Sequence, residues 1–213
     1  MLRPVGTEPT KPMRCTSGWT SKKNHAALPY AEIPQFVAKL RQQDGVAALA
    51  LEFVVLTAVR SGEAIGAQWP EFNVDEGVWT IPPGRMKADV EHRVPLSGPA
   101  LAIIRAMAAE RTSDTVFPKL AEKAMYDLLQ RMQVNVTVHG FRSSFRDWAA
   151  EQTTVAREVA EAALAHAIQN KVEAAYRRSD LFGKRRKLMD DWGRYCIGSD
   201  TAGVVPLRRP ATN

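Results

Sequence analysis

Hydrophobic spacing changes period twice along the chain. From Pro34, the apolar residues Phe36, Val37 and Leu40 recur at helical spacing up to Gln43, with the proline suited to a first turn. Asp44-Gly45 breaks the pattern, and Val46 to Val59 is then almost wholly apolar, with Leu49, Leu51, Phe53, Val54, Val55 and Leu56. A helix apolar on nearly all sides belongs in the middle of a core. Between Trp69 and Leu96 the period drops to two. Phe72, Val74, Val78, Thr80 and Ile81 are strand-like around an Asp75-Glu76-Gly77 turn, and Arg93-Val94-Pro95-Leu96 returns as a strand. Helical spacing resumes over Pro99–Ala109, about Ala121–Met132, and Gly140 to about Glu151, where Phe141, Phe145 and Trp148 are buried. The next helix is expected over Ala156–Ala165, capped by Thr153 or Thr154 and with Glu158 in its first turn. Asn170 to about Arg178 follows, and a last helix spans roughly Leu181–Cys196 on Leu188, Met189 and Trp192. The expected class is mainly α with a small antiparallel β-sheet (α+β).

Residues 1–28 are rich in Pro, Thr, Ser and Lys without a hydrophobic period, and 198–213 form a short tail after the last helix. Both are expected to be disordered tails or linkers, which leaves 29–197 as one domain. Within the first tail, Lys22-Lys23 is read as a solvated pair. The formal net charge of +6 and pI near 9.5 favour an anionic partner, nucleic acid first. Cys15 and Cys196 lack metal-ligand spacing and are expected to be free thiols in a reducing compartment. The N-terminus lacks the apolar run of a signal peptide, and no stretch approaches the ~18 apolar residues of a spanning helix. A cytoplasmic protein with no membrane partner is expected.

Candidate chemistry concentrates in the last third. His139 and Arg142 stand three apart at a helix start, where free N–H groups and the helix dipole favour an anion. Two arginines can neutralise both non-bridging oxygens of a phosphodiester, and Arg60 is the candidate for the second. It closes the buried helix, where a charge needs a partner, and Glu63 can hold it. Local reading leaves open whether that pair is purely structural. It also leaves Lys87, near the tip of the second hairpin, as an ordinary solvated lysine. His166 follows in Leu164-Ala165-His166. Among four tyrosines only Tyr176 lies just after a histidine and directly before Arg177-Arg178, a field that would stabilise phenolate. A Gly-x-Ser-x-Gly elbow and a glycine-rich phosphate loop are missing. No carboxylate or cysteine completes a metal site around His139 and His166. Neither metal nor cofactor is expected.

Taken in order, Thr57-Ala58-Val59-Arg60-Ser61-Gly62-Glu63, Lys87, His139-Gly140-Phe141-Arg142, Leu164-Ala165-His166 and Tyr176 resemble the signature of the tyrosine recombinases, the phage-type integrases. The wording from Phe141 to Ala149 and from Lys171 to Arg178 resembles the integrases of satellite prophages and genomic islands. The resemblance covers about residues 27–196 and implies the catalytic-domain fold of that family. It implies that Arg60 and Arg142 bind the scissile phosphate and that Lys87 protonates the leaving 5′-oxygen. His139 is then base or phosphate ligand, His166 hydrogen-bonds the phosphate, and Tyr176 attacks to give a 3′-phosphotyrosine. Glu63 would orient the site, and Arg85, Arg177 and Arg178 would contact DNA. The implied partners are double-stranded attachment-site DNA, further copies in a tetramer on DNA, and an accessory DNA-bending protein. The helix over Leu181–Cys196 either docks on a neighbouring copy or packs on its own domain. Only some 28 loop-like residues precede Tyr30, so the N-terminal DNA-binding domains of the family are expected to be missing. A fragment, an engineered chain or a truncated gene would each account for that. Weak, poorly selective DNA binding would follow. The alternatives are a catalytically idle DNA-binding remnant and a topoisomerase using the same chemistry.

Overall fold

The computed structural model describes residues 26–166 and 180–199. Helix α1 (Ile33–Leu40) carries its proline in the first turn and buries Ile33, Phe36, Val37 and Leu40. Helix α2 (Val46–Thr57) runs through the core, with Ala50, Leu51, Phe53 and Val55 fully buried. Its apolar run continues to Val59, but the helix stops at Thr57 because Ala58 turns left-handed at φ 52°. One charge sits inside that run: Glu52 is buried and accepts from Arg41 Nε and Nη2 at 2.8 and 2.6 Å. Without that guanidinium a carboxylate there would be prohibitively costly.

A short helix α3 (Ser61–Ile65) and a 3-10 turn (Trp69–Glu71) lead into a three-stranded antiparallel sheet of order β1-β2-β3. The strands are β1 (Phe72–Asn73), β2 (Val78–Ile81) and β3 (His92–Pro95), with Trp79 opposite both Phe72 and Val94. Val74, expected within the first strand, lies outside it. The Asn73 side chain accepts the Glu76 N–H at 3.0 Å and starts the turn one residue early. Phe53 of α2 packs between Trp79 and Phe117, with ring centroids 5.5 Å away on each side, which fixes the sheet against the central helix.

Helices α4 (Gly98–Ala109) and α5 (Ala124–Arg131) pack on α2. The latter begins at Ala124 rather than Ala121, the intervening residues forming a turn closed by Ala124 N–H to Ala121 O. Helix α6 (Gly140–Gln152) and helix α7 (Arg157–Ala163) follow. The expected threonine cap on α7 is not formed. Thr153 donates to the Ala149 carbonyl at 2.6 Å and accepts from Val155 N–H, so it finishes α6, and Ala156 stands at the α7 cap position. Helix α8 (Phe182–Cys196) packs on its own domain: Trp192 is fully buried, donates to the Val55 carbonyl at 2.8 Å, and meets Phe145, Trp148 and Tyr195. Residues 26–28 strap across the start of α6. Thr137 N–H donates to Ala26 O, and a Cβ at Gly140 would stand 2.2 Å from that oxygen, so only glycine fits. Cys196 is a buried free thiol. Among the described residues no helix is long and apolar enough to cross a membrane. Residues 1–25 and 200–213 of the expected tails, with Lys22-Lys23 and Cys15, and the Tyr176 segment lie outside the described residues, whereas 26–28, expected in the first tail, are packed on α6.

Candidate active site

Two helix ends build the centre. Helix α2 ends in left-handed Ala58, and α7 ends in a turn whose Ala165 is also left-handed, at φ 49°. Alanine has no intrinsic liking for that conformation. Here it lets the backbone carbonyls of both turns meet the guanidinium groups. Arg142, on the first turn of α6 and 4% exposed, donates through Nη1 to Ala58 O and through Nη2 to Leu164 O, at 2.5 and 2.6 Å. Carbonyls at helix C-termini carry the negative end of the dipole, so the cation is compensated by fixed partial charges instead of a carboxylate.

Arg60 joins the same turns from the other side. It is extended at the cap position of α3, its N–H bonded to a Glu63 carboxylate oxygen at 2.8 Å. Its Nη1 pairs with the other Glu63 oxygen at 2.6 Å, and Nη2 lies 3.5 Å from Ala165 O. Glu63 is therefore cap and counter-charge at once. His166 completes the set. Its Nδ1 is 2.5 Å from a Glu161 carboxylate oxygen and its Nε2 is 3.3 Å from Arg142 Nη2. With Nδ1 donating to the carboxylate, Nε2 is left to accept from the guanidinium.

The electrostatics are those of an unsatisfied cation pair. Burial, and then the neighbouring Arg60 charge, pull the Arg142 pKa down to about 10, against a smaller lift from Glu63 and Glu161. It stays protonated at neutral pH, and its Nε is buried without a partner among the described residues. A buried guanidinium with an uncommitted donor, beside a second one that reaches solvent, is what a tetrahedral oxyanion fits.

The remaining expected residues are placed less centrally. His139 is exposed at the α6 cap position, its carbonyl accepting the Arg142 N–H at 3.1 Å. Lys87 is exposed in the connection between β2 and β3. Arg85, expected to contact DNA, has its guanidinium engaged inside the chain, on the Glu71 carboxylate and the Glu63 carbonyl at 2.5 Å each, where it braces α3. Tyr176, Arg177 and Arg178 lie outside the described residues. Among the described residues no cluster of three metal-ligating side chains occurs.

Sequence reasoning missed His92. It is the first residue of β3 and buried, with its pKa pushed down to about 4 by burial and next by the Arg185 charge, against smaller lifts from Glu63 and the Ala163 carbonyl. Strand alternation was the available signal, since His92 and Val94 share the inward face while Arg93 points out.

The arginine pair, its acidic orienter and the helix ends that hold them are joined by a direct match. The phage integrase family model aligns with residues 27–181. This chain belongs to the phage integrase family. The prophage integrase IntA of Escherichia coli (strain K12) is 31% identical over 196 residues, covering 86% of this chain and 47% of that protein. The integrase of Enterobacteria phage P4 is 28% identical over 218 residues, covering 90% of this chain and 50% of its own length. The chain thus spans about half the length of the curated relatives it matches. Its fold is that of a lambda integrase (75-356) dimer bound to a COC′ core site, with TM-score 0.54 and 18% identity over 78% of this chain and 63% of the other. It is shared with the XerH site-specific recombinase bound to difH substrate, at TM-score 0.50 and 17% identity over 72% and 54% of the two chains. The expected class, mainly α with a small antiparallel sheet in the tyrosine recombinase catalytic fold, is the fold this chain has.

Proposed function

We propose that this integrase breaks and rejoins DNA strands at specific sites, in integration or excision of a mobile element, through a 3′-phosphotyrosyl intermediate. The observation that carries the reading is the convergence of Arg60, Arg142 and His166 on the two left-handed helix ends, with Arg142 Nε lacking a partner among the described residues. In the proposed step the Tyr176 phenol oxygen attacks the scissile phosphorus. The phosphorus–5′-oxygen bond breaks, Lys87 gives the leaving oxygen its proton, and His139 takes the phenolic one. Arg60 and Arg142 hold the two non-bridging oxygens as charge shifts onto them, and His166 donates to one when its Nε2 carries a hydrogen instead of accepting from Arg142. Loss of one such donor typically costs about 10²–10³ in rate. The ester conserves the bond energy, so a free 5′-hydroxyl reverses the step without ATP. Arg177 and Arg178 would contact the DNA backbone. The acting form would be a tetramer on paired sites, helped by a DNA-bending protein in the cytoplasm. The arginines supply the charge stabilisation without metal or cofactor.

A duplex carrying the attachment sequence, nicked so that the cleaved end diffuses away, tests this on a denaturing gel. The wild-type chain should form a covalent adduct that Tyr176→Phe lacks. An adduct persisting in Tyr176→Phe would show that another residue attacks. DNA binding with no adduct at any site would favour a catalytically idle, DNA-binding chain.

A further inference from the structure

His92 takes no part in the chemistry proposed above, yet it is 8% exposed at the start of β3, where it pairs with Ile81 of β2. Burying an imidazole is costly unless its N–H finds an acceptor. The ring donates to the carbonyl of Ala163, the last residue of α7. The strand that carries it is itself held. Arg185, 2% exposed on α8, donates through Nη1 to the adjoining Arg93 carbonyl at 2.7 Å and through Nη2 to an Asp180 carboxylate oxygen at 2.8 Å. His92 therefore projects from a fixed point.

What it reaches is the end of α7, whose last carbonyls have no further turn of helix to take their bonds. Those of Ala160, Glu161 and Ala162 accept the N–H groups of Leu164, His166 and Ala165 as the chain turns left-handed. The next three meet side chains from three other elements. Ala163 O takes His92 from β3, Leu164 O takes Arg142 Nη2 from α6 at 2.6 Å, and Ala165 O lies 3.5 Å from Arg60 Nη2 at the start of α3. One residue on, His166 Nε2 is 3.3 Å from Arg142 Nη2. A cavity of about 270 Å³ opens between His92, Ala162, Ala165 and His166, so on that side the turn is held by bonds and not by close packing. We propose that His92 is a positioning residue for strand cleavage: by holding the Ala163 carbonyl it sets Leu164 O, Ala165 O and His166 against the Arg60–Arg142 pair. This rests on the reading of that pair as the site of the scissile phosphate.

The test uses the full chain, the nicked duplex, and His92→Phe, His92→Leu and His92→Gln. Phenylalanine and leucine fill the inward position without a donor, and either serves where the other does not fold; glutamine keeps an N–H. A displacement of about 1 Å at a reacting group can cost 10²-fold, so adduct formation per bound complex should fall at least about tenfold in His92→Phe and His92→Leu. His92→Gln should recover most of that rate. DNA affinity by fluorescence anisotropy, set by many phosphate contacts, should stay within about threefold throughout. In the chain labelled isotopically at histidine, without DNA, the His166 ring resonances (assigned by their loss in His166→Gln) should move in the two donorless variants and hold in His92→Gln. Unmoved His166 resonances, or adduct formation at wild-type rate in the donorless variants, overturn the proposal. So does a joint loss of thermal stability and affinity with an unchanged rate per bound complex, or loss of the fold in both donorless variants, since either makes His92 solely structural. A wild-type chain that binds the duplex without any adduct overturns the reading of the arginine pair instead, and the His166 resonances then decide the tie on their own.

Discussion

Arg142→Met separates a guanidinium held for its charge from one held for the fold. Lowering its pKa to about 10 reflects a burden on the charged form of about 3 kcal/mol at neutral pH. Against it stand two charge-assisted bonds, to Ala58 O and Leu164 O, each contributing about 1.5–3 kcal/mol. Methionine fills much of the same volume and removes the burden. It leaves two carbonyls without their donor, at about 1–3 kcal/mol each where water cannot reach. Counting each carbonyl contact once, the relief of about 3 kcal/mol offsets much of the about 2–6 kcal/mol for the two orphaned carbonyls, so Arg142→Met should unfold in urea with a loss of up to about 3 kcal/mol. Arg142→Ala adds a cavity and should lose a further 2–3 kcal/mol or so. Trp148 and Trp192, both buried near α6, report the transition by fluorescence. Adduct formation should disappear in both variants. A loss above about 4 kcal/mol in Arg142→Met would refute that partial offset and make this arginine primarily structural. An adduct formed at wild-type rate would refute its place in the chemistry.

Three further outcomes follow from the same contacts. Glu63→Gln keeps the α3 cap but removes the counter-charge of Arg60; because that arginine is 28% exposed, we expect a loss of about 1–2 kcal/mol by chemical denaturation, and equal stability would mean the pair adds nothing. His92, with its folded pKa near 4 against an ordinary value of 6.5, binds its proton more readily unfolded. Its contribution is therefore complete above about pH 6.5 and declines as pH falls toward 4, by about 2 kcal/mol at pH 5. His92→Gln should flatten that part of the stability–pH curve, and parallel curves would rule His92 out. Trp192→Phe removes the bond to Val55 O and part of a fully buried ring, and should lower urea stability by about 2–3 kcal/mol. A neutral result there would mean that Val55 O finds another donor.

Period and punctuation made much of this fold readable in the sequence. The apolar run of α2, the β-branched and aromatic stretch of β2, and the spacing of Phe141, Phe145 and Trp148 each point to one structure because one burial pattern satisfies them. The misses share a cause: they are decided by partners distant in the sequence. Nothing in Thr57-Ala58-Val59 says that an alanine turns left-handed; the Arg142 guanidinium, 84 positions later, meets the carbonyl that the turn exposes. Glu52 sits in an apolar helix because Arg41 comes to it. Arg185 stands in a run of four cations, Lys184 to Lys187, that looks solvated. Only its phase with Leu188, Met189, Trp192 and Cys196, at steps of three, four, seven and eleven, shows it on the inward face of α8.

On the reading proposed above, the same long-range logic leaves the arginine pair with charge for an anion to meet. A carboxylate on each arginine would neutralise the pair and leave little for a phosphate to gain. Here Glu63 neutralises only Arg60, while Arg142 is held by carbonyl dipoles that fix its position without cancelling its charge. Holding the cation this way weakens its charged form, as its lowered pKa records, and an oxyanion arriving between the two guanidiniums would restore it. On that reading the stability given up in burying Arg142 would be recovered on binding. Because a developing transition-state charge would recover more of it than the ground state does, the arrangement would suit catalysis better than tight ground-state binding.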